Sequence, residues 1–256
     1  MSRLIAFGDS FTYGTDLKDC VEGSAKELEE REKISKYHSS DLPFAFTDEM
    51  DFDFRIRSGF HYPSKKTWPA LLAKYLDKEY VCHARPGSSN HKITRLIYRY
   101  LNHFNEDDLL VINWTWVDRL EWYNETLEIE SKRWEQIRPD STSKEAKLYY
   151  KHLFSELQAK YDTLQNIIGI YTLLKYKNIP FIMSIVDDIT LDTMWNNPVY
   201  NQNIQNEIKD KLVWFEDKGF YHWAKDKNFA ISETWHPLEE AHEAAFKHIR
   251  DNYDFT

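Results

Sequence analysis

The chain of 256 residues has only two cysteines, Cys20 and Cys82, and no Cys-x-x-Cys pair. A disulfide framework and a cysteine-based zinc site are thereby excluded. Cys82 lies in an apolar run and reads as a small buried hydrophobe. Glycine is scarce, at 7 residues, and no internal repeat or low-complexity tract occurs. No apolar run approaches the roughly 20 residues needed to cross a bilayer, so no membrane partner is expected. A basic excess is also missing: 33 Lys and Arg stand against 42 Asp and Glu, a net charge of −9. That balance repels polyanions and argues against a nucleic-acid partner. The start of the chain, Met1-Ser2-Arg3-Leu4-Ile5-Ala6-Phe7-Gly8, lacks the apolar stretch and small-residue cleavage site of a secretory leader. The expectation is a cytoplasmic, reducing compartment, with packaging into a virion left open.

What is present is a folding sequence, 42% hydrophobic and 16% aromatic, too apolar for a disordered chain. Short apolar runs at 4–7, 80–82, 109–112, 181–186 and 229–231 alternate with helical patterns. Runs apolar at consecutive positions suit strands buried on both faces. The alternation predicts a three-layer α/β/α sandwich with a parallel five-stranded sheet. Helices are expected from Trp68 to Leu76 behind Thr67, from about Ser89 to Leu101, over 143–176, and after Pro237. Two polar stretches, at about 15–66 and 119–143, interrupt the pattern. They are read as insertions in one domain spanning 1–256, placed at the strand ends where open α/β sheets hold ligands.

Two segments could carry chemistry. Gly8-Asp9-Ser10-Phe11-Thr12 follows the first strand, where a serine beside a glycine turn can stand above the sheet. Serine needs a base within hydrogen-bond reach to act as a nucleophile; otherwise Ser10 simply caps a helix. Ser232-Glu233-Thr234-Trp235-His236-Pro237 precedes the last helix. It offers His236 as that base, with Glu233 close enough in a turn to orient the imidazole.

Together these segments resemble the first and last blocks of the GDSL-type, or SGNH, hydrolases. The last block is usually Asp-x-x-His-Pro with a later Gly-His, which Ala241-His242 matches in part. Ala84-Arg85-Pro86-Gly87-Ser88-Ser89-Asn90 is similar to the family's glycine block. Ile112-Asn113-Trp114-Thr115-Trp116-Val117-Asp118-Arg119 stands where the family has Gly-x-Asn-Asp. The resemblance implies an SGNH-like fold of flavodoxin-like topology. It makes Ser10 the nucleophile, His236 the general base and Glu233 the residue orienting it. It also implies an oxyanion hole of the Ser10 and Gly87 N–H groups and a side chain of the third segment, Asn113 or Thr115. No cofactor and no metal are implied.

Other features have plainer readings. Asp187-Asp188 fits capping and turn formation better than a metal site. His242 matches a histidine that is structural in the family. Trp114, Trp116, Trp122 and Trp134 either line a sugar-binding cleft or fill the core. The stripe over 143–176 fits packing on the sheet better than a partner chain.

The function expected is that of a serine esterase removing a small acyl group, such as acetyl from a carbohydrate, through an acyl-serine. An acyltransferase would differ only in its acceptor. The second reading is a weak or inactive SGNH-like module used for binding or assembly. Its motives are the altered third segment and Glu233. With its low glycine count and no secretory leader at its start, the chain also resembles bacteriophage-encoded members of that family, and this resemblance implies a virion or further copies of the chain as partner.

Overall fold

In the computed structural model the described residues are 2–22, 62–126, 134–192 and 198–253. The central sheet is parallel. It is built from β1 (Arg3–Phe7), β2 (Glu79–Cys82), β3 (Leu109–Trp114) and, after a separate hairpin, β6 (Phe181–Ile185), in the order β2-β1-β3-β6. That is the doubly wound order of flavodoxin-like sheets. The hairpin consists of antiparallel β4 (Leu120–Tyr123) and β5 (Trp134–Ile137). The described helices begin with α1 (Ser10–Tyr13), α2 (Trp68–Tyr75), α3 (Asn90–Tyr100) and α4 (Lys144–His152). They continue with α5 (Glu156–Tyr176), α6 (Val199–Ile208), α7 (Phe220–Asp226) and α8 (Glu239–Asn252).

The strands explain why the consecutive apolar runs are needed. Successive side chains point to opposite faces of a sheet, and here both faces are covered. Leu4, Ala6 and Val111 join Trp68, Leu72, Phe215, Phe220, Ala241, Ala245 and Ile249 in one core layer. Ile5, Phe7, Leu110 and Ile112 join Ile93, Ile97, Leu164, Ile167 and Ile170 in the other. Helices α2, α7 and α8 thus cover one face, and α3 and α5 the other. The three-layer arrangement follows directly.

Three expectations are corrected. The fifth strand does not form at 229–231. Its place beside β6 is taken by a single parallel bridge between Ser184 and Val213, while Ile231 pairs antiparallel with Pro237 at the base of a loop. The pattern over 143–176 is two helices, because Ser155 caps α5 by accepting the N–H of Gln158. Leu164, Ile167, Ile170 and Leu174 of α5 are buried against the sheet, whereas Leu148, Leu153 and Leu157 earlier in the stretch are exposed, so only the later part of the stripe is core. Cys82 is half-buried, and Cys20 is the fully enclosed cysteine. Most of the polar stretch at 15–66 lies outside the described residues. The one at 119–143 contains the β4–β5 hairpin, joined to α3 by a two-pronged ion pair between Arg95 and Glu121.

Among the described residues no helix is long and apolar enough to cross a membrane. Asp187 accepts the N–H of Ile189, and Asp188 accepts that of Gly219, so both carboxylates serve the turns they were expected to form. His242 is buried, and its Nδ1 accepts the N–H of Trp68 at the start of α2, 3.2 Å away. That is a structural role.

Candidate active site

Strand β1 ends against a turn that only glycine fits. A Cβ on Gly8 would overlap the side chain of Thr12 and come within 3.2 Å of the Asn113 carbonyl. The chain can therefore pass close to β3 and turn sharply into α1. Asp9 caps this short helix by accepting the N–H of Phe11, which leaves Ser10 as its first residue. Ser10 is 6% exposed, and its Oγ opens into a cleft of about 730 Å³.

The other side of the cleft is the loop before α8. It is closed by hydrogen bonds from the Ser232 N–H to the His236 carbonyl and from the Trp235 N–H to the Ser232 carbonyl. Trp235 sits at φ 71°, a left-handed conformation that costs a non-glycine residue about 1–2 kcal/mol. The turn aims His236 at Ser10, with Nε2 2.7 Å from Oγ. The edge of the Phe11 ring supports the imidazole, with centroids 4.9 Å apart.

The group on the far side of the imidazole is not Glu233. Nδ1 of His236 lies 2.7 Å from Oδ2 of Asp16, in the turn that follows α1. Ser232 and Thr234 donate their hydroxyls to the same oxygen. Side chains 232, 234 and 236 thus converge on Asp16, whereas Glu233, between them, is exposed. Burial pushes the Asp16 carboxyl up, but the hydrogen bonds from Ser232, Thr234 and His236 outweigh it and hold the group below the usual carboxylate range. An ionised Asp16 favours the tautomer in which Nδ1 carries the proton and Nε2 can accept from Ser10.

The third segment also departs from expectation. Oδ1 of Asn113 accepts from Ser184 Oγ at 2.9 Å within the sheet. The Thr115 hydroxyl donates to Asp9 at 2.6 Å, and the Thr115 N–H donates to Asn90. Neither Asn113 nor Thr115 lines the cleft. Gly87 does, at φ 77°. The N–H groups of Ser10 and Gly87 have no acceptor among the described residues.

Sequence reading missed the buried centre that ties these segments together. Asp9 is fully enclosed and accepts from Phe11, Thr115 and, at 2.9 Å, the guanidinium of Arg119. Arg119 also donates to the Ser88 carbonyl at 3.1 Å. The signal was present in Asp9, an acid beside the serine, and in Asp16, a second acid a turn further on.

Apolar and charged groups line the rest of the cleft: Trp116, Trp235, Pro86 and Pro139 beside Asp118, Arg119, Arg138 and Asp140. Burial pushes the Asp118 carboxyl up, against the pull of Arg119. Of the four tryptophans singled out in the sequence, only Trp116 reaches the cleft. Trp114 is core, and Trp134 packs on Tyr123 and under Arg95 in the hairpin. Trp235 was not anticipated there.

Fold and site together define an α/β protein with a hydrogen-bonded serine–histidine–aspartate chain at the carboxyl edge of a parallel sheet. The chain belongs to a family of unknown function, DUF6071, whose model matches residues 47–244. No curated protein matches it. Among solved structures it is similar to a member of the lipolytic protein G-D-S-L family from Veillonella parvula DSM 2008, with 9% identity over all of both chains and a TM-score of 0.45. It is similar to the psychrotrophic esterase EstA from Pseudoalteromonas sp., with 10% identity over 98% of this chain and 94% of that one, at 0.43. It is also similar to an acetyl xylan esterase, Est2A, from the rumen bacterium Butyrivibrio proteoclasticus. That likeness has 15% identity over 98% of this chain and 63% of that one, at 0.44. At such identities and scores these likenesses say nothing about what the chain acts on.

Proposed function

We propose that this protein is a serine esterase that removes a small acyl group from an alcohol. The observation that carries the reading is the pair of 2.7 Å contacts from Ser10 Oγ to His236 Nε2 and from His236 Nδ1 to Asp16, set in an open cleft. A serine, a base in reach and an acid orienting that base are what nucleophilic acyl transfer requires.

In this reading Ser10 Oγ adds to the ester carbonyl carbon while its proton passes to His236 Nε2. The carbonyl π electrons move to oxygen, where the N–H groups of Ser10 and Gly87 stabilise the charge. Collapse expels the alcohol, which takes the proton from His236 and leaves an acyl-serine. Water then adds, giving a proton to His236, and collapse releases the acid and returns that proton to Ser10. Asp16 stabilises the imidazolium formed in both halves. An inactive module was motivated partly by Glu233, and Asp16 removes that motive.

The substrate alcohol is read as a carbohydrate. Trp116 and Trp235 offer indole faces on which the apolar face of a sugar ring can stack.

The test is hydrolysis of p-nitrophenyl acetate by wild type and Ser10→Ala, with circular dichroism on both. The expected result is a rate that disappears in a folded mutant. Equal rates in both would overturn the esterase reading. Release of acetate from acetylated xylan would support the carbohydrate reading, and cleavage of aryl esters alone would reject it.

A further inference from the structure

The resemblance implies a side-chain oxyanion donor beside the Ser10 and Gly87 N–H groups, and neither third-segment candidate lines the cleft. Asn113 is fully buried within the sheet, where its Oδ1 accepts from Ser184, and the Thr115 hydroxyl donates to Asp9, so neither side chain reaches the cleft. The cleft nevertheless holds a cation fixed between the two segments that carry those backbone donors. Through Nη1, Arg119 donates to the carboxylate of Asp9, the residue before Ser10, and to the carbonyl of Ser88, the residue after Gly87. Its side chain is 12% exposed and is one of the groups lining the cleft. The N–H groups on Nε and Nη2 have no acceptor among the described residues.

We infer that Arg119 supplies the side-chain oxyanion donor of this site, in place of the asparagine or threonine that sequence reading suggested. The inference rests on the esterase reading above. A guanidinium suits the task because its fork is planar and always charged, so one edge can hold Asp9 and Ser88 while another faces a ligand oxygen. Asp9 fixes the fork before substrate arrives, which is the preorganisation that makes such donors effective. Arg138 is the other cation nearby, but it is 45% exposed and paired to the exposed Asp140, so its position is far less fixed.

The experiment uses the full chain with a trifluoromethyl ketone carrying ¹³C at the carbonyl. Ser10 Oγ adds to that carbon, the proton goes to His236, and the resulting hemiketal oxygen occupies the oxyanion position. The ¹³C shift followed against pH gives the pKa of that hemiketal hydroxyl. Arg119→Gln is expected to lower kcat by roughly 100-fold with KM little changed, the loss typical of one oxyanion donor. It is also expected to raise the hemiketal pKa by at least about one unit, a tenfold loss of preference for the oxyanion. Arg119→Lys keeps a charge on Asp9 and is expected to fold and to shift the hemiketal pKa in the same direction. If kcat falls but the hemiketal titrates at the wild-type pH in both variants, Arg119 is a positioning residue for Asp9 and the inference is overturned. If wild type forms no adduct and Ser10→Ala matches it on p-nitrophenyl acetate, the esterase reading itself has failed, and the inference falls with it.

Discussion

The carboxylate of Asp16 stands 2.7 Å from the imidazole of His236, although 220 positions separate them in the chain. Ser10 and Asp16 leave the same strand end, so one local segment presents both the nucleophile and the acid, and a distant loop brings only the base. Asp16→Asn should therefore cost roughly 10³–10⁴ in kcat, the scale seen when such an acid loses its charge. Glu233→Gln should leave kcat within about twofold, as surface substitutions away from such contacts usually do. Steady-state kinetics on an aryl acetate compares the two directly, and a larger loss from Glu233→Gln would reverse the assignment.

The buried histidine of α8 links stability to pH. Burial pushes His242 from 6.5 down to about 3. The unfolded chain therefore binds a proton at this site throughout that interval, and the folded chain does not. The stabilisation is fully present above pH 6.5 and drains away as pH falls towards 3, by up to about 1.4 kcal/mol per unit. Chemical denaturation between pH 4 and 7 should show a steeper loss for wild type than for His242→Gln. Parallel curves would show that His242 is not protonated on unfolding in this range.

Trp235 is 64% exposed, holds a left-handed backbone and lines the cleft, so the ring and the strain can be tested together. Trp235→Gly removes both the strain and the ring. Relief of the left-handed conformation is offset in part by glycine's entropy in the unfolded chain, so stability should stay level or rise by about 1 kcal/mol. KM for a bulky acylated substrate should rise while kcat holds. A melting curve and a pair of substrates of different size give both answers, and a large loss of stability would mean that the turn depends on the ring.

Asp9 is the carboxylate on which the site's framework hangs. Asp9→Ala leaves Arg119 half-buried without its counter-charge and removes the cap of α1, so a loss of about 3–5 kcal/mol is expected. Urea unfolding measures it. A loss below about 1 kcal/mol would show that the ion pair is incidental.

Much of this was legible in the order of residues. The strands at 4–7, 80–82, 109–112 and 181–186 could be read because a strand covered on both faces is apolar at nearly consecutive positions, and these runs are short and alternate with longer helical patterns. The strand expected at 229–231 failed because three apolar residues fit a short bridge equally well, and only packing decides. Ser10 and His236 could be read from the turns they occupy. Asp16 could not, since choosing between two acids depends on which way alternate side chains of 232–236 point. The ambiguity at Asn113 and Thr115 had the same origin. Both stand near the site in sequence, but Asn113 is buried inside the sheet beside Ser184 and the Thr115 hydroxyl donates to Asp9, and those neighbours come from other strands and loops.

The loop bearing His236 has a consequence for how the molecule becomes competent. Ser10 and Asp16 lie six positions apart in one local segment, and each meets His236 rather than the other. The contact that completes the site joins positions 226 apart and forms only when the loop before α8 docks on the sheet edge. Contacts of such long separation carry the entropy of closing a long loop, which favours their forming after local ones. On the proposed reading, a refolding or growing chain is chemically silent until that docking, so the return of any Ser10-dependent hydrolysis would time the closure of this loop on the sheet edge.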